Sequence, residues 1–180
     1  MGTSEWSERV VVIGAGVAGL GTALGLGRAG HDVVVVDRDD LSVAPGPDEA
    51  FGIDRKGAPQ VRHTHALLAR LTGTLRDRFP DVRDTLVRAG GVEVDLTRRF
   101  ADRCAGDEEL RVLLARRTTL EWALRRAAAA EPSVTLRGGE AVAGLAGEAG
   151  DGLAGEPGSV NGVRLATGEV LPADTVVAAG

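Results

Sequence analysis

Three sets of residues in this chain have types and spacings suited to chemistry. Gly14, Gly16 and Gly19 form a GxGxxG pattern, and Asp37 follows at the offset of about 20 residues expected of a ribose-binding acid. His63 and His65 sit one residue apart, just behind Pro59-Gln60. Arg116 and Arg117 stand side by side ahead of an apolar-periodic run. The glycines suit a phosphate: Gly14 permits a tight turn, Gly16 lets a pyrophosphate approach the backbone, and Gly19 lets a helix pack closely on a sheet. The N–H groups of Val17 and Ala18, at the helix start, face the same anion with the positive end of the helix dipole. A carboxylate at Asp37 accepts hydrogen bonds from a ribose 2′- and 3′-hydroxyl and disfavours a 2′-phosphate. FAD and NAD both fit this pattern.

The histidines are less specific. An HxH pair on a strand presents both imidazoles on one side and suits zinc or iron. A metal site needs further ligands, however. His31 belongs to a turn, and Cys104 is the only cysteine, so no metal is expected. A general base and helix capping with packing remain open for His63 and His65.

These groups need elements to position them. Val10 to Ile13 is a β-branched run of the kind buried on both faces of a parallel sheet. Leu20, Ala23, Leu24 and Gly27 recur at helical spacing up to Gly30, and Val33 to Val36 form a second strand ending in Asp37. Residues 39 to 62 are polar and rich in Pro and Gly, a long connection of the kind that is functional or disordered. "HTHALLARLTGTLRDRF" reads as a helix with Leu67, Leu68, Leu71 and Leu75 on one side, and a second helix spans about 81 to 89. "VEVDLTRRF" alternates like an exposed strand, and a strand covers about Arg111 to Ala115. A helix from Arg117 to Ala130 follows. "VTLRGGEAVAGLAG" gives two strands around a Gly-Gly break. Residues 147 to 159 form a hairpin loop, and two more strands flank Thr167-Gly168 before a final apolar strand, "DTVVAAG".

Composition bounds the function. Apolar residues make up 43% of 180, enough for a core, and the net charge of −5 argues against a nucleic-acid binder. A single cysteine suits a reducing, cytoplasmic setting. No stretch approaches the roughly 18 apolar residues of a membrane span. Arg76, Arg78, Arg83 and Arg88 read as a solvated face. Trp122 reads as packing within its helix, and Cys104 as an inert loop thiol. Nothing here sets an oligomeric state.

The segments "VVVIGAGVAGLGTAL", "VVVVDRDD", "KGAPQVRHTHALL", "ARRTTLEWALRRAA" and "LPADTVVAAG" together resemble the FAD-binding region of class A flavoprotein monooxygenases, the para-hydroxybenzoate hydroxylase-like group. Within it they are most similar to bacterial polyether-type flavin epoxidases such as the lasalocid epoxidase. The resemblance covers nearly the whole chain. It implies an α/β, FAD/NAD(P)-binding Rossmann-like three-layer fold with a parallel sheet, an antiparallel β-meander and a helical insertion, as one FAD-binding domain over residues 1–180.

The resemblance also implies an FAD- and NAD(P)H-dependent monooxygenase. NAD(P)H would be a transient reductant, and O₂ would react through a flavin C4a-hydroperoxide. The substrate would be a polyketide- or terpenoid-like small molecule, epoxidised or hydroxylated. Alternatives are a reductase of the geranylgeranyl-reductase type and a non-catalytic dinucleotide-binding module. At matching positions Gly14, Gly16, Val17, Ala18 and Gly19 would cradle the pyrophosphate. Asp37 would hold the ribose with Arg38 beside it. Arg117 would reach the flavin or its phosphates, and the Val142 backbone would meet the adenine. Gly180 would lie by the pyrophosphate. Gln60, His63 and His65 would donate to flavin, ribityl or phosphate oxygens. "VAAG" lacks the Thr or Asp usual before that last glycine. The Gly-Asp segment and substrate-covering sheet of relatives are absent from the 180 residues, so catalysis by this piece alone is not expected.

Overall fold

The structure, a computed structural model, describes residues 7–53, 64–99, 101–102, 104–147 and 159–179. It divides into two compact units, one of residues 1–43 with 128–180 and one of residues 44–127. No helix of the described residues is long and apolar enough to cross a membrane.

The first unit is built on a four-stranded parallel sheet in the order β10-β1-β2-β6. Its strands are β1 (Arg9–Ile13), β2 (Asp32–Asp37), β6 (Val134–Gly138) and β10 (Thr175–Ala178). The register pairs Val11 with Val34 and with Val176, and Ile13 with Val36 and with Ala178. Alternation then gives each face its own residues. Val10, Val12, Val33 and Val35, all at most 2% exposed, share one face. Helix α1 (Val17–Arg28) buries Leu20, Ala23 and Leu24 in the same unit and contacts β1 and β2. A Cβ on Gly27 would lie 2.6 Å from Val134 Cγ2, so the helix lies close on the start of β6.

The opposite face carries Val11, Ile13, Val34, Val36 and Val176. These pack with Val142, Val163, Leu165, Leu171 and Ala173 in one cluster. Those partners come from a three-stranded antiparallel meander of β7 (Val142–Gly147), β8 (Val160–Leu165) and β9 (Val170–Pro172), with Ala173 just after β9. Burial on both faces is why the valine runs are continuous rather than alternating. The expected order of helix, parallel sheet and meander is present in this unit.

The second unit holds α2 (Pro47–Gly52), β3 (Thr64–Leu67), α3 (Ala69–Arg78), α4 (Pro80–Arg88), β4 (Val92–Asp95) and β5 (Arg111–Arg116). Helix α5 (Arg117–Ala130) begins here, and its last residues belong to the first unit. The strands form an antiparallel sheet in the order β3-β5-β4.

One expectation is overturned: "THAL" is strand β3, not the start of a helix. Leu67 and Leu68 look like adjacent positions on a helical face, yet Leu67 is 5% exposed and Leu68 68%. That is strand alternation. Leu67 pairs with Leu113 of β5, and Thr72 Oγ1 donates to the Leu67 carbonyl at 2.8 Å. The helix starts only at Ala69 and buries Thr72 and Leu75.

Arg83 also departs from a solvated face. It is half-buried, and its Nε donates to Glu93 Oε1 at 2.6 Å, tying α4 to β4. Arg76, Arg78 and Arg88 are exposed as expected.

A Cβ on Gly19 would overlap the Gly14 carbonyl oxygen, whereas one on Gly21 meets nothing within 4 Å. Gly19→Ala should therefore cost about 1–3 kcal/mol by overpacking, while Gly21→Ala should add roughly 0.5–1 kcal/mol of helix propensity. Denaturant melts of the two variants check the opposite signs.

The Arg83 guanidinium, hydrogen-bonded to Glu93, holds that carboxyl below the usual range. A depressed folded pKa means the stabilisation is present above the unfolded value, about 4.3, and is lost as pH falls through the folded value. Glu93→Gln should cost ~1 kcal/mol at neutral pH and flatten the decline of stability below about pH 4.3. A parallel acid limb in both proteins would contradict the pairing.

Candidate functional site

The candidate site lies in the first unit, where β1 ends. Gly14 adopts φ +100°, a conformation side-chain-bearing residues rarely take. Its N–H donates to the Val36 carbonyl at 2.8 Å, which pins the turn to β2. Ala15 is fully buried, and its N–H donates to Asp37 Oδ2 at 2.6 Å. Asp37 Oδ1 accepts from the Asp39 N–H at 2.9 Å. The acid at the end of β2 is thus fastened to the turn at the end of β1.

Gly16 is the N-cap of α1, extended, with no side-chain cap and open space where a Cβ would stand. The first turn of α1 carries no acid. The Val17, Ala18 and Gly19 N–H groups have no partner within the helix, as at any helix start. Open backbone at Gly16, helix-start N–H groups without intrahelical partners and a first turn without an acid suit a phosphate group. The residues therefore fit the diphosphate of a dinucleotide. Strand β10 runs beside this turn: Ala178 pairs with Ile13, and the Ala179 N–H donates to the Ile13 carbonyl at 2.8 Å.

Other predicted residues fall as follows. Arg38 is exposed, next to Asp37. Val142 opens β7, pairs with Leu165 and packs on the cluster around Val11 and Val36. Gln60, His63 and Gly180 lie outside the described residues. His65 is in β3, paired with Ala115, rather than at the start of a helix.

Arg117, in the second unit, donates through Nε to Glu121 Oε1 at 2.9 Å. Its neighbour Arg116 reaches Asp48 at 3.4 Å and lies 4.9 Å from the Phe51 ring centroid. The buried Glu121 was not singled out from the sequence. Its signal was available, because an acid four residues after Arg117 on a helix pairs with it. Trp122 is 7% exposed and donates to the Ala44 carbonyl at 2.9 Å, a packing role. Cys104 is a free, exposed thiol. Among the described residues no group of three or more His, Cys, Asp or Glu is placed to hold a metal ion.

Comparison with known proteins adds to this geometry. The family model described as "FAD dependent oxidoreductase" matches residues 9–139. A curated relative, Protein Rv3254 of Mycobacterium tuberculosis, is 37% identical over 83 residues, which is 46% of this chain and 16% of that protein. PqsL of Pseudomonas aeruginosa, solved with 2-aminobenzoylacetate, superposes with a TM-score of 0.68 at 17% identity, over 95% of this chain and 42% of that one. The Diels-Alderase PyrE3 of pyrroindomycin biosynthesis gives 0.65 at 22% identity, over 96% and 32%. MHPCO, as its Y270F mutant, gives 0.55 at 21% identity, over 95% and 39%. At these identities the solved structures establish the fold. The chain spans well under half the length of each of these proteins.

A substitution separates anion binding from stability at this site. Gly16→Asp places a good N-cap where a Cβ has room, so stability should hold or rise by about a few tenths of a kcal/mol. The same carboxylate would occupy the phosphate position and repel it. A calorimetric titration with the dinucleotide should show binding lost from a protein at least as stable as the parent; retained binding would contradict the cradle.

Proposed function

Given that the chain belongs to the FAD dependent oxidoreductase family, we propose that it is the FAD-binding part of an FAD- and NAD(P)H-dependent monooxygenase. The observation that carries this is the fastened turn: Gly14 at positive φ, an open Gly16 backbone at an acid-free helix start, and Asp37 bonded to Ala15. That arrangement holds a diphosphate and a ribose side by side.

In this reading the Val17 and Ala18 N–H groups donate to diphosphate oxygens, aided by the helix dipole. Asp37 accepts from the adenosine ribose; a carboxylate has about four acceptor sites, so it can serve the turn and a ligand together. Arg38, exposed beside it, adds positive charge near the phosphates. The Val142 backbone meets the adenine. The chain's own contribution is to bind and orient. FAD, when bound, supplies the redox chemistry, with electrons from the nicotinamide and O₂ as the oxygen source. The proposed reaction is epoxidation or hydroxylation of a polyketide- or terpenoid-like molecule. PqsL, described as a probable FAD-dependent monooxygenase, has the same fold, which supports the reaction class.

The test is flavin retention. The purified chain loaded with FAD should show the visible flavin bands. Asp37→Ala should weaken FAD binding about tenfold or more, the scale of lost hydrogen bonds to a charged group, while Cys104→Ala should leave it unchanged. Equal retention by both variants, or a colourless protein that cannot be reconstituted, would refute the proposal.

A further inference from the structure

The carboxylate of Asp37 is aimed by more than its own strand. In the register of β2 and β6, Asp37 lies opposite Gly138. A Cβ on Gly138 would overlap the Leu41 amide nitrogen and stand 3.0 Å from the Asp39 carbonyl oxygen. The chain after Asp37 therefore lies directly on the Gly138 backbone. Gly139, at φ +75°, donates its N–H to the Asp39 carbonyl at 3.0 Å, and the Glu140 N–H donates to the Asp37 carbonyl at 3.0 Å. Leu41 is 5% exposed, so the loop is seated rather than loose.

The far side of this contact is anchored too. Arg137 donates to Glu140 Oε1 from Nε at 3.1 Å and from Nη2 at 2.9 Å. It also grips both carboxylate oxygens of Glu169 at 2.9 Å, beside the turn between β8 and β9. Bidentate guanidinium–carboxylate pairs of this kind fix orientation as well as adding energy.

We propose that Gly138, Gly139 and Glu140, braced by Arg137, are positioning residues that hold the Asp37 segment so that its carboxylate meets both the Ala15 N–H and a dinucleotide ribose. The inference rests on the dinucleotide reading of Asp37. It assigns a ligand-binding consequence to residues that touch no ligand. Two hydrogen bonds from 139–140 hold the backbone carbonyls of Asp37 and Asp39, and the Asp39 N–H in turn holds Asp37 Oδ1. A side chain at position 138 would push residues 39–41 outward and swing the acid off Ala15.

The test is a double-mutant cycle on the full 180-residue chain, read by FAD titration and by amide hydrogen exchange at Ala15. Gly138→Ala should weaken FAD binding about tenfold when Asp37 is present but less than about twofold in Asp37→Ala, because coupled residues are non-additive. Ala15 exchange should quicken in Gly138→Ala. Equal losses in both backgrounds, or unchanged Ala15 exchange, would overturn the proposal. If the parent takes no FAD, the dinucleotide reading fails, and the Ala15 amide alone then decides whether the clasp exists. If Gly138→Ala does not fold, Arg137→Gln frees Glu140 without adding bulk and should shift both readouts the same way by a smaller factor; no shift in either counts against the clasp.

Discussion

The backbone contact between Gly19 and Gly14 is the constraint on which the candidate site depends. A helix can start this close to a strand-end turn only if the residue on its inner face has no Cβ, since one there would overlap the Gly14 carbonyl oxygen. That closeness sets where the first N–H groups of α1 point. Gly14 then has to turn at φ +100°, and its N–H lands on the Val36 carbonyl. Asp37, one residue further, meets the Ala15 N–H. A short chain of backbone contacts and one carboxylate bond thus joins helix start, turn and acid into one constellation.

The surrounding core makes that constellation stiff. The parallel sheet is buried on both faces, by α1 on one and the meander on the other. Each valine of β1 and β2 therefore packs against a neighbour rather than water, and interiors this dense leave little room for a turn to drift. The polar ties lie at the rim. Arg137 binds the end of β6 to Glu140 and Glu169, and Arg9 pairs with Asp174 at 3.5 Å beside β1 and β10. These are exposed or half-exposed pairs and add specificity more than stability.

Much of this was legible in the sequence. The run Val10–Ile13, the glycine spacing and Asp37 gave β1, α1, β2 and the acid's place, because each obeys a local rule of period or turn chemistry. The meander was legible from Gly-Gly and Thr-Gly breaks between short apolar runs. Strand β3 was not. Leu67-Leu68 satisfies a helical pattern, and only pairing with Leu113, distant in sequence, reveals that the two side chains face opposite ways. The site was partly legible for the same reason. Asp37 could be named, but its bond to Ala15 and the brace at Gly138–Glu140 depend on contacts between remote segments, which no local spacing records. Arg83 was misread similarly: among the arginines of α3 and α4, its pairing with Glu93 on the neighbouring strand sets it apart.

The central claim is that the turn at Gly14–Gly19 binds the diphosphate and Asp37 the ribose of FAD. Equilibrium titration of the apo chain with FAD, followed by competition with ADP and with riboflavin, tests it most directly. The account predicts saturable one-to-one binding that ADP displaces and riboflavin does not, since these residues grip the adenosine diphosphate half. Binding displaced by riboflavin but indifferent to ADP, or no saturable binding, would contradict it.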